Sequence, residues 1–168
     1  GSASNDGGMG AMTMLGYRFL DQNGNELKGT GGDLEKVVAI DDKSVMPELK
    51  KAKFTVMCDV TNPLTGEKGA TYVFGPQKGA TQTMIAKMDT WLMNYAKKTK
   101  EKYSGANPNR AGTGAAGGLG FAFLSYTNAV LESGVKIILE ETKLESFIKN
   151  ADFVITGEGR LDGQTVMG

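Results

Sequence analysis

Residues 151–165, ADFVITGEGRLDGQT, decide how the rest of the chain is read. Phe153, Val154 and Ile155 form an aromatic and β-branched run too short for a helix, which predicts a buried strand. Residues 156–164 then read as the loop at its C-terminal end. In an open α/β sheet, ligands bind in the crevice outside the carboxyl ends of the strands. Gly157, Gly159 and Gly163 let the backbone come close to a ligand, while Glu158, Arg160 and Asp162 bring two acids and a base into one small volume. A solvated turn closed by a local salt bridge is the alternative, and only the rest of the chain separates the two.

With 168 residues, 40% of them hydrophobic and 23% charged, the chain is long enough for one domain with a hydrophobic core and short for two. Lys plus Arg and Asp plus Glu both number 19, so nothing in the charge points to nucleic acid or to an acidic membrane surface. The single Cys58 excludes an internal disulfide and fits a reducing, cytoplasmic setting. The absence of histidine removes the commonest general base and metal ligand, so any metal must be held by oxygen. No apolar run approaches the ~20 residues that span a bilayer, and a signal-peptide pattern is not expected. The 24 glycines are about twice average usage and fall in loops without a collagen-like period, which suggests several tight backbone sites.

In the opening GSASNDGGMGAM, Ser4, Asn5 or Asp6 can cap a helix over residues 7–15, whose first N–H groups could face an anion; a capped, glycine-weakened helix and nothing more is the alternative. Both ends of the chain read as cut. Residues 17–20 and 26–28 flank Asn23-Gly24 and predict a short hairpin. Residues 34–40 suit a short helix or an irregular crossover before Asp41 and Asp42. FTVMCDV at 54–60 is a strand that leaves Asp59 at its C-terminal edge, before a turn containing Asn62. Residues 72–75 read as a short strand or extended piece. Lys78 follows in a glycine-bounded loop just before a helix, an arrangement that brings a cation and a helix N-terminus together around an anion; a plain surface lysine is the alternative. That helix is the longest, over 81–103, with Met84, Ile85, Met88, Trp91, Leu92, Tyr95 and Ala96 at three- and four-residue spacings.

Gly112, Gly114 and Gly117 match the G-x-G-x-x-G dinucleotide fingerprint in form. The fingerprint must follow a strand, and the residues before Gly112 are a Pro-Asn turn, so a nicotinamide oxidoreductase is the weaker enzyme class. What remains is a small-residue lead into a helix over 115–126, either close packing or amides offered to a phosphate. Short apolar pieces at 129–139 and a helix ending at Lys149-Asn150 return the chain to the strand at Phe153. Helix, glycine loop, strand and charged loop recur, which predicts an α/β domain: a mixed sheet with helices packed on it.

Together, CDVTNPLTGEKGATYVFGPQKGA at 58–80, GTGAAGGLG at 112–120 and FVITGEGRLDGQT at 153–165 resemble the glycerate kinase family of bacterial enzymes. The opening GSASNDGG is similar to that family's Gly-Ser-Asn-Asp stretch, and the match follows the chain in order over nearly its whole length. The resemblance implies transfer of the ATP γ-phosphoryl group to a hydroxyl of glycerate, with Mg²⁺, on a two-domain α/β kinase larger than this chain. Residues 1–168 are then expected to form a single α/β domain, the inserted central domain of that enzyme. Thr113 and Met167 depart from the family's usual alanine and histidine.

Phosphoryl transfer needs in-line positioning, a cation against developing charge and a carboxylate toward the attacking hydroxyl. Lys78 and Arg160 suit the glycerate carboxylate or phosphate oxygens, and Asp6, Asp59, Glu158 and Asp162 are the available acids. The implied catalytic set is Asp162, Glu158, Arg160 and Lys78, with Asp162 and Glu158 as magnesium ligands. Ser4, Asn5, Asp6, Asp59, Asn62, Gly112, Gly114, Gly117, Gly157 and Gly159 are the implied binding residues. The partners are small molecules, glycerate and ATP, with neither nucleic acid nor membrane. An inactive ligand-binding or interaction module that keeps the fold is the alternative.

Overall fold

The structure is a computed structural model, and it describes residues 3–155 and Gly157. Helices pack on two small sheets in a mixed α/β arrangement, as the alternation of pattern predicts. Helix α1, Met9–Met14, leads into strand β1, Arg18–Leu20, which pairs antiparallel with β2, Ala39–Asp41, placing Phe19 opposite Ile40. Strand β3, Thr55–Met57, runs into helix α2, Ala70–Phe74, and helix α3, Gln82–Lys102. Helix α4, Ala115–Tyr126, is followed by strand β4, Val130–Glu132, which lies parallel to β3 with Val56 opposite Leu131. Helices α5, Gly134–Thr142, and α6, Leu144–Ile148, follow.

Helix α3 begins where its sequence predicts. Thr81 is extended and its Oγ1 accepts a hydrogen bond from the Met84 N–H at 3.3 Å, while Lys100 and Lys102 occupy the last turn, where cations suit the helix dipole. Its inner face carries Ile85, Leu92, Tyr95 and Ala96, but also Asp89 and Thr99, and Met84 is exposed. Both Asp89 oxygens accept the Gly66 N–H, at 3.0 and 3.1 Å, so this helix pins the loop that follows β3. Burial raises the Asp89 pKa and the Gly66 bond pulls against it.

The core collects on α3. Phe19, Tyr95 and Phe121 are fully buried, with the Tyr95 ring 5.9 Å from both Phe19 and Phe121 and Tyr126 6.0 Å from Phe19. Each such ring removed from water stabilises by about 1.5–3 kcal/mol. Two of the hydroxyls here find partners: Tyr17 donates to the Tyr126 carbonyl at 2.5 Å, and the Tyr126 hydroxyl meets Thr99 Oγ1 at 2.8 Å.

Several local expectations are corrected. The Asn23-Gly24 turn exists, with Gly24 at φ 79° and Asp21 Oδ1 accepting from the Asn23 and Asn25 N–H groups, but only Leu20 and Glu26 bridge across it. The ladder partner of β1 is the distant β2, because that pairing buries Phe19 against the core. Residues 31–36 form a 3-10 turn with a reciprocal cap between Thr30 and Asp33. Residues 72–75 lie in and just after helix α2, not in an extended piece; α2 packs on α3 and α4, and that contact outweighs the β propensity of Thr71, Tyr72 and Val73. Phe153, Val154 and Ile155 are not in a strand, and they are 88%, 60% and 97% exposed. A parallel strand needs neighbours that cover it, and none of the described residues does so.

Candidate functional site

The Asp6 carboxylate organises the N-terminal turn. Its Oδ1 accepts from the Gly8 N–H at 3.0 Å and its Oδ2 from the Gly10 N–H at 3.1 Å, so the first amides at α1 are directed at a side chain of the protein itself. Gly7 and Gly8 both have positive φ, and the Gly7 N–H donates to the Gly117 carbonyl at 2.9 Å. The N-terminal loop is thereby locked against the start of α4. There Ala116, Gly117 and Gly118 take three successive left-handed conformations, and a Cβ on Gly117 would lie 2.2 Å from the Ser4 carbonyl oxygen. Backbone meets backbone only because no side chain intervenes.

On the other side of this loop is a cleft of about 370 Å³, lined by Ser4, Asn5, Asp6 and Lys78 together with residues 29–31, Met84 and Met88. Lys78 ends a short 3-10 turn that Pro76 starts and Gly79 closes at φ 90°. Its Nζ donates to the Ser4 carbonyl at 2.6 Å, joining the two loops across the cleft. Burial lowers the Lys78 pKa, and the negative charge of Asp6 partly restores it. Asn5 is buried; its Nδ2 donates to Thr71 Oγ1 at 2.9 Å, while its Oδ1 has no hydrogen-bond partner among the described residues. An unsatisfied buried acceptor beside a cation and a fixed carboxylate is the donor and acceptor set that a small hydroxylated anion would satisfy.

The structure therefore brings Ser4, Asn5, Asp6 and Lys78 into one cleft, and of the other predicted residues that it describes, Asp59, Asn62, Gly112, Gly114, Gly117 and Gly157 do not line it. Asp59, at the end of β3, accepts from the Gly134 N–H at 2.8 Å and from Ser133 Oγ at 3.2 Å, capping α5 on a separate groove. Asn62 donates to the Lys68 carbonyl and accepts the Gly114 N–H through its own carbonyl, which holds the turn after β3. Gly112 and Gly114 are pressed against protein: a Cβ would lie 2.6 Å from Leu131 and 2.2 Å from the Pro63 oxygen. The fingerprint-like glycines thus have a packing reason for their identity. Gly157 is exposed, with no described residue within 4 Å of where a Cβ would stand, and Glu158, Gly159, Arg160 and Asp162 lie outside the described residues.

Sequence reasoning missed the apolar wall of the cleft, Met84 and Met88, because their helical spacing reads as core. It also missed the contribution of residues 29–31. Gly29 offered a signal, since its positive φ lets Gly10 pack within 2.7 Å of where a Cβ would stand. Among the described residues, no cluster of three His, Cys, Asp or Glu side chains could hold a metal ion, and no helix is long and apolar enough to cross a membrane.

Comparison with known proteins places these features in context. The model of the glycerate kinase family matches residues 1–168. A glycerate kinase of Bacillus subtilis is 47% identical over the whole chain, and the glycerate 2-kinase of Escherichia coli K12 is 44% identical over the same span. A crystal structure assigned as glycerate kinase 2, from Salmonella typhimurium LT2, superposes with a TM-score of 0.88 over 99% of this chain at 45% identity. The chain spans 44% of the length of each of these three proteins.

Proposed function

The chain belongs to the glycerate kinase family, and from that premise we propose that it forms the substrate-side part of an ATP-dependent kinase acting on glycerate. The observation that carries this reading is the convergence of Lys78, Asp6 and Asn5 on one cleft. Glycerate presents a carboxylate and two hydroxyls. Lys78 is a point charge for the carboxylate or for a phosphate oxygen, and the free Asn5 oxygen is an acceptor for a hydroxyl. The Asp6 carboxylate is held by two backbone N–H groups, which orients its remaining lone pairs without a need to reorganise during reaction.

Magnesium in phosphoryl transfer takes one or two carboxylates with phosphates and waters, and Asp6, the described carboxylate in the cleft, would be one candidate to hold it. When bound, ATP supplies the phosphoryl group and magnesium offsets the charge on its oxygens. In the reaction a glycerate hydroxyl oxygen forms the new bond to the γ-phosphorus, the bond to the β–γ bridging oxygen breaks, and the hydroxyl proton passes to a carboxylate. Asp162 and Glu158 remain the proposed carboxylates for that proton and for magnesium, with Arg160 as the second cation. The name of the Escherichia coli relative, a glycerate 2-kinase, supports the 2-hydroxyl as the acceptor.

A full-length polypeptide carrying this sequence is expected to form ADP from ATP only when glycerate is present, and phosphorus NMR of the product identifies the hydroxyl. Lys78→Ala should lower kcat/KM by at least ~100-fold, the low end for loss of a charge-stabilising donor, with the fold retained by circular dichroism. Turnover within a few-fold of the parent would remove Lys78 from the site. A ligand-binding unit without activity is the second reading for the 168 residues alone, favoured by how open the apolar helices α5 and α6 stand to solvent. Glycerate binding without turnover by the 168-residue chain, beside a full-length polypeptide that does turn over, would establish it.

A further inference from the structure

Thr71 is fully buried in the first turn of α2, and its side chain holds a residue 66 positions away in sequence. On local grounds a threonine is a poor choice for that place. Its branched side chain is restricted in a helix, and its hydroxyl must leave water on burial. The hydrogen bond from Asn5 Nδ2 to Thr71 Oγ1, at 2.9 Å, offsets the second cost and ties α2 to the wall of the candidate cleft. It also decides how the Asn5 amide lies, because the committed Nδ2 leaves Oδ1 as the end without a partner among the described residues.

The main chain of Thr71 holds the opposite wall. Its carbonyl accepts the Gly75 N–H at 2.8 Å, and the Gly75 carbonyl in turn accepts the N–H groups of Lys78 at 2.9 Å and Ala80 at 3.0 Å. One residue therefore fixes the Asn5-Asp6 loop through its side chain and the Lys78 turn through its backbone. The Lys78 Nζ bond to the Ser4 carbonyl, at 2.6 Å, closes the same ring from the far side. The separation of the Asp6 carboxylate from the Lys78 cation is set by this ring. Phosphoryl transfer depends on such separations, since a misplacement of ~1 Å can cost on the order of 100-fold in rate.

We infer that Thr71 is a positioning residue for the reaction of this cleft: acting through Asn5, it sets where the Asp6 loop stands against Lys78, and so how tightly the anionic substrate is held. Being fully buried, it touches no substrate itself. This role rests on the kinase reading of the cleft. A purely structural threonine would do no more than seat α2 on α3 and α4.

The test is a double-mutant cycle in a full-length polypeptide carrying this sequence, read by glycerate titration calorimetry without ATP and by steady-state kinetics. Thr71→Val removes the acceptor and should raise both the Kd and the KM for glycerate by about 10-fold, the scale of one lost hydrogen bond, with KM for ATP unchanged within about twofold. In an Asn5→Ala background the same change should move them by less than about twofold, because nothing is left to position. Thr71→Ser restores the hydroxyl and should return both constants to within a few-fold of the parent. Equal losses from Thr71→Val in the two backgrounds would overturn the inference, and so would a valine variant that loses Tm while its glycerate affinity stays at the parent value. If the valine variant does not fold, Thr71→Ala takes its place in the same cycle. Lys78→Ala separates this role from the reading of the site: an inactive Lys78→Ala beside an unaffected Thr71→Val sinks only the role of Thr71, whereas full activity in Lys78→Ala sinks the site and the role together.

Discussion

Two regions of this chain with similar apolar content behave in opposite ways. Residues 3–126 fold around α3, with Met9, Phe19, Leu92, Tyr95 and Phe121 all fully buried. Residues 127–155 carry Val130, Val135, Ile138, Leu139, Leu144, Phe147, Ile148 and Phe153, and every one of these is exposed. Hydrophobicity is therefore not what separates core from surface here. The first region supplies its own second layer, since α2 packs on both α3 and α4, and α1 packs on α4 and β1. The second has helices on a two-stranded pair and nothing described above them. The glycerate kinase relatives that this chain matches are more than twice as long as the chain.

The contrast can be broken by identical substitutions on the two sides. Phe121→Ala in the 168-residue chain should cost about 3–5 kcal/mol, the range for truncating a packed aromatic ring, read from the urea midpoint. Gly117→Ala should cost about 3 kcal/mol, because the left-handed φ of 70° and the 2.2 Å approach to Ser4 both oppose a Cβ. It should also displace Ser4 and so weaken the grip of Lys78, which a titration of ligand binding would register. Phe147→Ala should lie within about 0.5 kcal/mol of the parent in the same chain, since an exposed ring has little packing to lose. A loss near 3 kcal/mol at Phe147 would show that the second region is covered already and would erase the distinction.

The cleft was partly legible. Ser4, Asn5 and Asp6 announce a capped turn, and Lys78 stands in a glycine-bounded loop before a helix with a threonine cap. That they face one another across a gap closed by the Lys78 bond to Ser4 is a long-range fact that no local pattern carries. The same holds for Gly112, Gly114 and Gly117. Their spacing imitates a phosphate loop, while their neighbours in space, Leu131, Pro63 and Ser4, account for the missing side chains.

What the sequence by itself determined was the part of the protein with local causes: α3 from its apolar spacing and Thr81 cap, α1 from its acidic and polar lead, β3 from its β-branched run, and the family from its motifs. The pairings of the short strands escaped it. β1, β2, β3 and β4 have three residues each, and their partners are set by which side chain must be buried, not by the turn next to them. Tertiary structure alone decided that residues 70–74 are a helix, that Asp59 caps α5 while Asp6 lines the cleft, and that the apolar residues 153–155 stand in solvent. The physical reason is common to all three. Propensity and pattern act over a few residues with fractions of a kcal/mol each, whereas burial against elements far along the chain acts with several, and it acts only where those elements are present to pack.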